Sequence, residues 1–129
     1  MIFLDSSYLK GLIDVKDTHH QDALIVREII EDYNEKTVIN TTVLVETLNW
    51  SVKTNILAKE IYSDLKEDNT LVNLTSDDYL KSLEINCWFG NSINYSDCTI
   101  INTMFSMGIT RIATFDGDFK KVGAFDIIS

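Results

Sequence analysis

The sequence contains no proline, no glycine- or serine-rich linker, no internal repeat and no low-complexity tract. The usual marks of a domain boundary are therefore missing, and 129 residues leave no room for two ordinary domains. No apolar run approaches the roughly 18–20 residues that a membrane-spanning helix needs. We therefore expect one domain over residues 1–129, without a membrane-spanning segment.

Cysteine is also scarce. Cys87 and Cys98 are isolated and lack the Cys-x-x-Cys spacing and clustered histidines of a zinc site. The sequence does not support a disulfide either, so we expect both residues to be small buried hydrophobic side chains. The opening segment MIFLDSSYLK is apolar only briefly and is broken by Asp5, which is not typical of a secretion signal. These features favour a cytoplasmic protein.

Positive charge is in short supply. Eleven Lys and Arg residues stand against twenty Asp and Glu residues, which gives a formal net charge of −9. This balance argues against a broad nucleic-acid-binding face, because phosphate backbones are bound mainly by Lys and Arg. Any phosphate contact would have to come from a local strip of basic residues.

Short apolar runs and longer amphipathic segments alternate along the chain. Five runs predict buried strands: MIFL, TVIN, TLVNL, RIAT and FDII. The segments between them have helical spacing, with apolar stripes at Ala23, Val26, Ile30 and Tyr33, at Leu80, Leu83 and Cys87, and at Ile100, Ile101, Met104 and Phe105. Such alternation predicts an α/β fold with a mainly parallel sheet covered by helices on both faces.

Helix ends are marked by residues that favour caps. We predict that one helix starts after Asp17 and Thr18, and that a Thr-x-x-Asp capping box starts another at Thr75. Gly108 is a natural C-terminal stop. Ser96 is the predicted N-cap of the helix that carries Asp97.

Acidic residues concentrate at the predicted carboxyl ends of the strands, where parallel α/β folds bind ligands. Asp5 directly follows the first strand, and Asp116 comes two residues after RIAT. Asp97 falls in the first turn of its helix, where we expect the helix dipole to lower its pKa. Glu46 lies early in the helix after the second strand, among apolar neighbours that make an unpaired carboxylate costly.

These four acids come from distant parts of the chain and are predicted to converge on one rim, with Asp118 close enough to join them. Each acid alone has an ordinary explanation as a cap or polar turn, but the combination indicates a cation site. Converging carboxylates with few histidines suit Mg²⁺ or Mn²⁺ rather than zinc. One or two such ions could orient a water and stabilise phosphoryl charge, so a phosphodiester is the expected substrate.

Four segments, in this order, resemble motifs of the PIN-domain ribonucleases. IFLDSSYL resembles the opening strand with its metal-site Asp, VLVETL the glutamate-bearing helix, YSDCTIINTM the Ser/Thr-Asp helix, and IATFDGDF the closing Thr-x-Asp motif. The resemblance covers the whole chain and is strongest to the VapC group, the toxin halves of toxin–antitoxin pairs. It implies a sheet of order 3-2-1-4-5. It also implies catalytic and metal-binding roles for Asp5, Glu46, Asp97 and Asp116, with Asp118 as a further metal ligand and Thr114 as a supporting polar residue.

The resemblance further implies an endoribonuclease that uses Mg²⁺ or Mn²⁺ to hydrolyse single-stranded RNA, leaving a 5′-phosphate and a 3′-hydroxyl. Relatives of this group often dimerise and are inhibited by a small antitoxin that blocks the acidic pocket, often with a basic residue. This chain departs from many relatives in having little arginine. Phosphate contacts are therefore assigned to Lys10, Lys53, Lys120 and Lys121, for which solvated surface lysines are the ordinary alternative.

Several other protein classes fit less well. A haloacid-dehalogenase phosphatase needs Asp-x-Asp after its first strand, but Ser7 occupies the second place. A response-regulator receiver needs an acidic pair and a late lysine that are not visible, and DGDF lacks the calcium-loop pattern. Two alternatives stay open: a PIN nuclease of RNA processing or DNA-structure cleavage, and a non-catalytic PIN-fold interaction module. We interpret His19-His20 as a solvated loop, and Trp50 and Trp88 as packing residues.

Overall fold

The computed structural model describes all 129 residues. The strands are β1 (Ile2–Leu4), β2 (Thr37–Asn40), β3 (Thr70–Val72), β4 (Arg111–Ala113) and β5 (Asp126–Ile128). The helices are α1 (Ser6–Ile13), α2 (His20–Tyr33), α3 (Thr41–Lys53), α4 (Ala58–Asp68), α5 (Ser76–Trp88) and α6 (Tyr95–Met107), and a 3-10 helix spans Gly117–Val122. None of the helices is long and apolar enough to span a bilayer.

The strands form one sheet in the order β3-β2-β1-β4-β5, and every neighbouring pair is parallel. The predicted fold class and strand order are confirmed. All five predicted strands are present, and each except β2 is one or two residues shorter than its apolar run. Parallel order places the carboxyl ends of all five strands on one edge of the sheet, called the carboxyl rim below.

The core lies on both sides of the central strand β1. Ile2 and Phe3 are completely buried, which explains why this strand is a continuous apolar run rather than an alternating one. Helix α6 packs into the same core through Ile100, Ile101 and Met104, as its spacing predicted. Phe105, assigned to the same stripe, is instead 53% exposed.

The stripe predicted for α5 does not face the core. Leu80 and Leu83 are 57% and 51% exposed, and Cys87 is exposed, so its assignment as a buried side chain was wrong. The buried position of α5 is Ser82, whose hydroxyl donates to the backbone carbonyl of Asp78 at 2.6 Å. A small side chain that satisfies its own hydroxyl can occupy the contact side of a helix, and Ile85, three residues later, packs against the core beside it.

The helix ends follow the predictions in part. The Thr75–Asp78 capping box and the left-handed Gly108 at the end of α6 are both present. Helix α6 starts two residues earlier than predicted, because Asn94 rather than Ser96 is its N-cap residue. Asp97 still falls in the first turn.

Candidate metal centre

Asp5 is held between the two central strands. Its backbone N–H donates to the carbonyl of Ala113 at 3.0 Å, which fixes it where β1 and β4 end together. Its side chain is 3% exposed and accepts two hydrogen bonds at Oδ2, from Ser7 Oγ and from Thr114 Oγ1, each at 2.7 Å. Two hydroxyls therefore orient this carboxylate by donating to Oδ2, and neither of them donates to Oδ1.

The same hydroxyls fasten the loop that follows β4. Ser7 Oγ accepts the backbone N–H of Phe115, and Thr114 Oγ1 accepts that of Asp116, both at 3.0 Å. Asp116 Oδ1 in turn accepts the backbone N–H of Asp118 at 2.9 Å, at the start of the 3-10 helix. The position of Asp116 is thus fixed relative to Asp5 by side chains from both sides of the rim.

Glu46 reaches the rim from α3, which starts directly after β2. Asn40 caps that helix by accepting the backbone N–H of Val43 at 3.1 Å. Burial and the nearby Asp5 carboxylate raise the pKa of Glu46. Its Oε1 atom is buried and has no hydrogen-bond partner. A buried oxygen without a partner is costly, and a bound cation would remove that cost.

Asp97 is the most perturbed acid of the rim. Its side chain is 6% exposed, and its pKa is raised to about 8 by burial, with further contributions from Asp116 and Asp5. The predicted lowering of this pKa was therefore wrong. The helix dipole does act on Asp97, but desolvation and the repulsion of neighbouring carboxylates outweigh it.

The four acids share one polar cavity of about 320 Å³, which no hydrophobic residue lines. The cavity is lined by Asp5, Glu46, Asp97 and Asp116 together with Ser6, Ser7, Lys10, Asp17, His19, Asn94 and Ser96. Asp118 lies beside it, and one carboxylate oxygen from each of Asp97, Asp116 and Asp118 falls within 4.8 Å of the others. Oxygen donors at this density, with one buried oxygen unpartnered, fit a hard divalent cation.

The four predicted lysines lie in different settings. Lys10 lines the acidic cavity, and with Lys53 and Glu46 it also lines a neighbouring one. Lys120 lines a further cavity that shares Asp116 with the first. Lys121 is engaged elsewhere: its Nζ lies 2.9 Å from Asp118 Oδ1 and donates to the carbonyl of Ser92 at 2.9 Å.

Sequence reasoning missed two features of this site. Ser7, two residues after Asp5 in LDSSYL, hydrogen-bonds the carboxylate, and that spacing was available in the sequence. His19, interpreted as part of a solvated loop, lines the acidic cavity and stacks on Phe115. No pattern in the sequence brings residues 19 and 115 together, because the contact depends on tertiary packing between distant parts of the chain.

The sequence of the chain matches a known protein family, and its structure is similar to those of known proteins. The family model described as PIN domain matches residues 2–124. No curated protein sequence matches the chain. Its structure is similar to Mycobacterium tuberculosis VapC20, a sarcin-ricin loop cleaving toxin, with a TM-score of 0.81, 20% identity and full coverage of both chains.

Two further solved structures are similar over nearly the same extent. A toxin–antitoxin complex from Klebsiella pneumoniae gives a TM-score of 0.75 at 13% identity, covering 100% of this chain and 97% of that one. VapBC2 from Rickettsia felis, bound to a DNA fragment from its promoter, gives a TM-score of 0.67 at 17% identity, covering 98% of this chain and 97% of that one. At these identities the likeness concerns the fold.

Proposed function

This chain belongs to the PIN domain family, and we propose that it is a Mg²⁺- or Mn²⁺-dependent endoribonuclease that hydrolyses single-stranded RNA. One observation carries the proposal: four carboxylates from β1, α3, α6 and the loop after β4 meet in a single polar cavity. Residues 1–129 then act as one nuclease domain. The similarity to solved toxin structures supports assigning it as the toxin of a toxin–antitoxin pair.

Asp5, Glu46, Asp97 and Asp116 are proposed as the catalytic, metal-binding acids, with Asp118 as a further ligand. A divalent cation held by these carboxylates would lower the pKa of a bound water and stabilise charge on the phosphoryl group. Thr114 and Ser7 orient Asp5 so that Oδ1 stays available as a ligand. Asp97, with its pKa near 8, keeps a proton at neutral pH until a cation displaces it.

The proposed RNA path follows lysines that flank the acidic cavity. Lys10 lines the acidic cavity itself, while Lys53 and Lys120 line neighbouring cavities that share Glu46 and Asp116 with it. A local strip of this kind can contact phosphates although the chain carries a net charge of −9. Lys121 is the least suited of the four, because it pairs with Asp118.

An antitoxin partner is supported by an apolar groove between α1 and α4. The groove has a volume of about 430 Å³, and its walls include Leu9, Leu12, Ile56, Leu57 and Ile61. Its α4 edge carries Glu60, Asp64 and Asp68. We propose that a small antitoxin lays an apolar face with basic flanks into this groove and extends a basic residue into the acidic cavity. We also propose that the protein is a cytoplasmic homodimer.

Cleavage of labelled single-stranded RNA in Mg²⁺ or Mn²⁺ tests the proposed function. Asp5→Asn and Asp97→Asn are expected to abolish cleavage. Asp77→Asn is the matched control, because Asp77 is an exposed acid of α5 that pairs with Lys81 at 3.0 Å. Cleavage that survives both rim substitutions would mean that the acidic cavity is not the site. No cleavage and no Mn²⁺ binding by the wild type would favour a non-catalytic interaction module.

A further inference from the structure

His19 and Phe115 form a stacked pair at the edge of the acidic cavity. Their ring centroids are 4.5 Å apart and their planes differ by 5°. Phe115 is half-buried, whereas His19 is exposed. No other aromatic ring stacks on His19. One face of the imidazole is therefore covered by Phe115, and no ring of the protein covers the other.

The backbone of His19 is held by two hydrogen bonds. Its N–H donates to Asp17 Oδ1 and its carbonyl accepts the N–H of Ala23, both at 2.8 Å. The residue thus sits at the junction of an ordered turn and the first turn of α2. With the backbone held and the ring stacked on Phe115, the side chain loses little conformational entropy when a flat ligand packs on it.

The stack also marks a boundary between two cavities. His19 and Asp116 line both the acidic cavity and a second cavity of about 300 Å³. The second cavity is lined further by Phe115, Gly117 and Lys120, so an aromatic surface and an ammonium group face the same space. Asp116 and Asp22 add two carboxylates to this cavity, so an anionic group is favoured only beside the Lys120 ammonium.

We infer that the His19–Phe115 stack is the binding site for the base of the nucleotide next to the scissile phosphate. The inference rests on the proposed nuclease function, which puts the scissile phosphate over the acidic cavity. The next nucleotide then enters the second cavity, where its base packs on the open face of His19 and its phosphate reaches Lys120. Stacking of this kind accepts any base, because every base has a π-face.

Equilibrium binding of a short fluorescein-labelled single-stranded RNA tests the inference. Binding is measured in Ca²⁺, which takes the same oxygen ligands with looser geometry, and the RNA is recovered to show that it stays intact. We expect His19→Ala to weaken binding about 5- to 150-fold, the loss typical of one base–aromatic stack. His19→Phe should keep the wild-type affinity, because it keeps the ring.

Trp88→Ala is the matched control. Trp88 is 85% exposed and lines neither cavity, so loss of this aromatic side chain should leave binding unchanged. A second series replaces one base at a time with an abasic nucleotide. When the abasic nucleotide replaces the base that stacks on His19, wild type and His19→Ala should bind the RNA equally, because neither can then form the stack.

The outcomes separate this inference from the proposed function. Wild-type affinity in His19→Ala, together with normal cleavage, would overturn the inference and leave the nuclease intact. Equal losses in His19→Phe and His19→Ala would also overturn it, since the ring would then not be the binding element. A His19-dependent loss at one base position, in a wild type that does not cleave, would support the binding site and reject the nuclease.

Discussion

Acidic side chains form ion pairs at one end of the parallel sheet and lack them at the other. At the amino end, Arg111 Nη1 lies 3.0 Å from Glu35 and its Nε lies 3.7 Å from Asp126, while the N-terminal ammonium lies 3.4 Å from Glu35. The Arg111 guanidinium also lies over the Tyr33 ring, 4.3 Å from its centroid. The acids at this end have cations that the chain itself supplies.

At the carboxyl rim none of Asp5, Glu46, Asp97 and Asp116 forms a salt bridge. Strand β4 belongs to both ends, since it begins at Arg111 and leads into the loop that carries Asp116. One of only two arginines in the chain is thus committed to structure, while the most crowded acids form no ion pair with the chain's own cations. A rim arranged this way is suited to an external cation.

Matched Glu→Gln substitutions at the two ends should give opposite results, and this is the largest effect we expect. Glu46→Gln removes a charge that burial and Asp5 disfavour, so it should raise the thermal stability of the metal-free protein. It should also weaken Mn²⁺ binding and cleavage by about 100-fold or more, since even residues behind metal ligands cost 10–100-fold.

Glu35→Gln should do the reverse. Loss of its pairing with Arg111 and the N-terminus should cost about 1 kcal/mol and leave cleavage unchanged. Thermal melting without metal, Mn²⁺ titration and RNA cleavage measure the three quantities. A fall in metal-free stability for Glu46→Gln would contradict the view that the rim acids repel one another.

The pH dependence of cation binding should also distinguish the carboxyl rim from the amino end of the sheet. In the metal-free protein Asp97 keeps its proton up to a pKa of about 8, against a usual 3.8. Because its folded-state pKa is raised, the stability it contributes is present below pH 3.8 and is lost as pH rises through about 8. A cation must displace that proton, so binding should tighten as pH rises.

One proton released per bound ion corresponds to about tenfold tighter Mn²⁺ binding per pH unit well below the pKa, and to about 50-fold between pH 6 and pH 8, because half of the Asp97 carboxyls have already lost their proton at pH 8. Calorimetry in buffers of different ionisation enthalpy measures both the affinity and the proton count. In Asp97→Asn the proton release should disappear. An unchanged proton count in that variant would show that Asp97 does not carry the displaced proton.

Thr114→Val tests whether the hydroxyls at the rim prepare Asp5 for a ligand. The substitution keeps the shape but removes the donor to Asp5 Oδ2 and the acceptor of the Asp116 N–H. We expect cleavage and Mn²⁺ affinity to fall by about 10- to 100-fold. Thr37→Val, at the start of β2, is the control, because the Thr37 hydroxyl bonds only Asn69 and the Asp68 carbonyl. Equal effects at both positions would indicate general destabilisation.

The carboxyl rim was predictable from the sequence because it follows from strand order. Once five apolar runs form a parallel sheet, Asp5 and Asp116 must end on the same edge, whatever their side-chain contacts. The pKa of Asp97 was not predictable from its place in a helix. It depends on burial and on carboxylates far along the chain, and these outweigh a local dipole effect.

Helix α5 shows the other limit. Its stripe of Leu80, Leu83 and Cys87 has the spacing of a core face, yet the helix packs through Ser82. Periodicity identifies a face but not its orientation, since that is decided by close packing against other elements. The stack of His19 on Phe115 is of the same kind, because it depends on tertiary packing alone.

At the amino end, Arg111→Met should affect stability without affecting catalysis. The substitution keeps part of the apolar stem but removes two ion pairs and the contact with Tyr33. Partly exposed pairs and one cation–π contact together suggest a loss of about 1–2 kcal/mol. Chemical denaturation measures the loss. Cleavage per folded molecule should stay at the wild-type level, and a fall there would mean that the two ends are coupled through β4.

Lys121 is the one cation of the chain that pairs with an acid beside the rim, so it offers the finest test of the contrast between the two ends. Its pair with Asp118 is exposed, with side chains 46% and 34% accessible, and Lys121→Gln should change stability by less than about 1 kcal/mol. If Asp118 is a metal ligand, Lys121 competes with the cation for it. Removing that competition should tighten Mn²⁺ binding a few-fold, and Asp118→Asn should abolish the gain. If Mn²⁺ affinity is unchanged in both variants, Asp118 only forms a surface ion pair with Lys121. Asp116 is then the one acid after β4 that binds the metal.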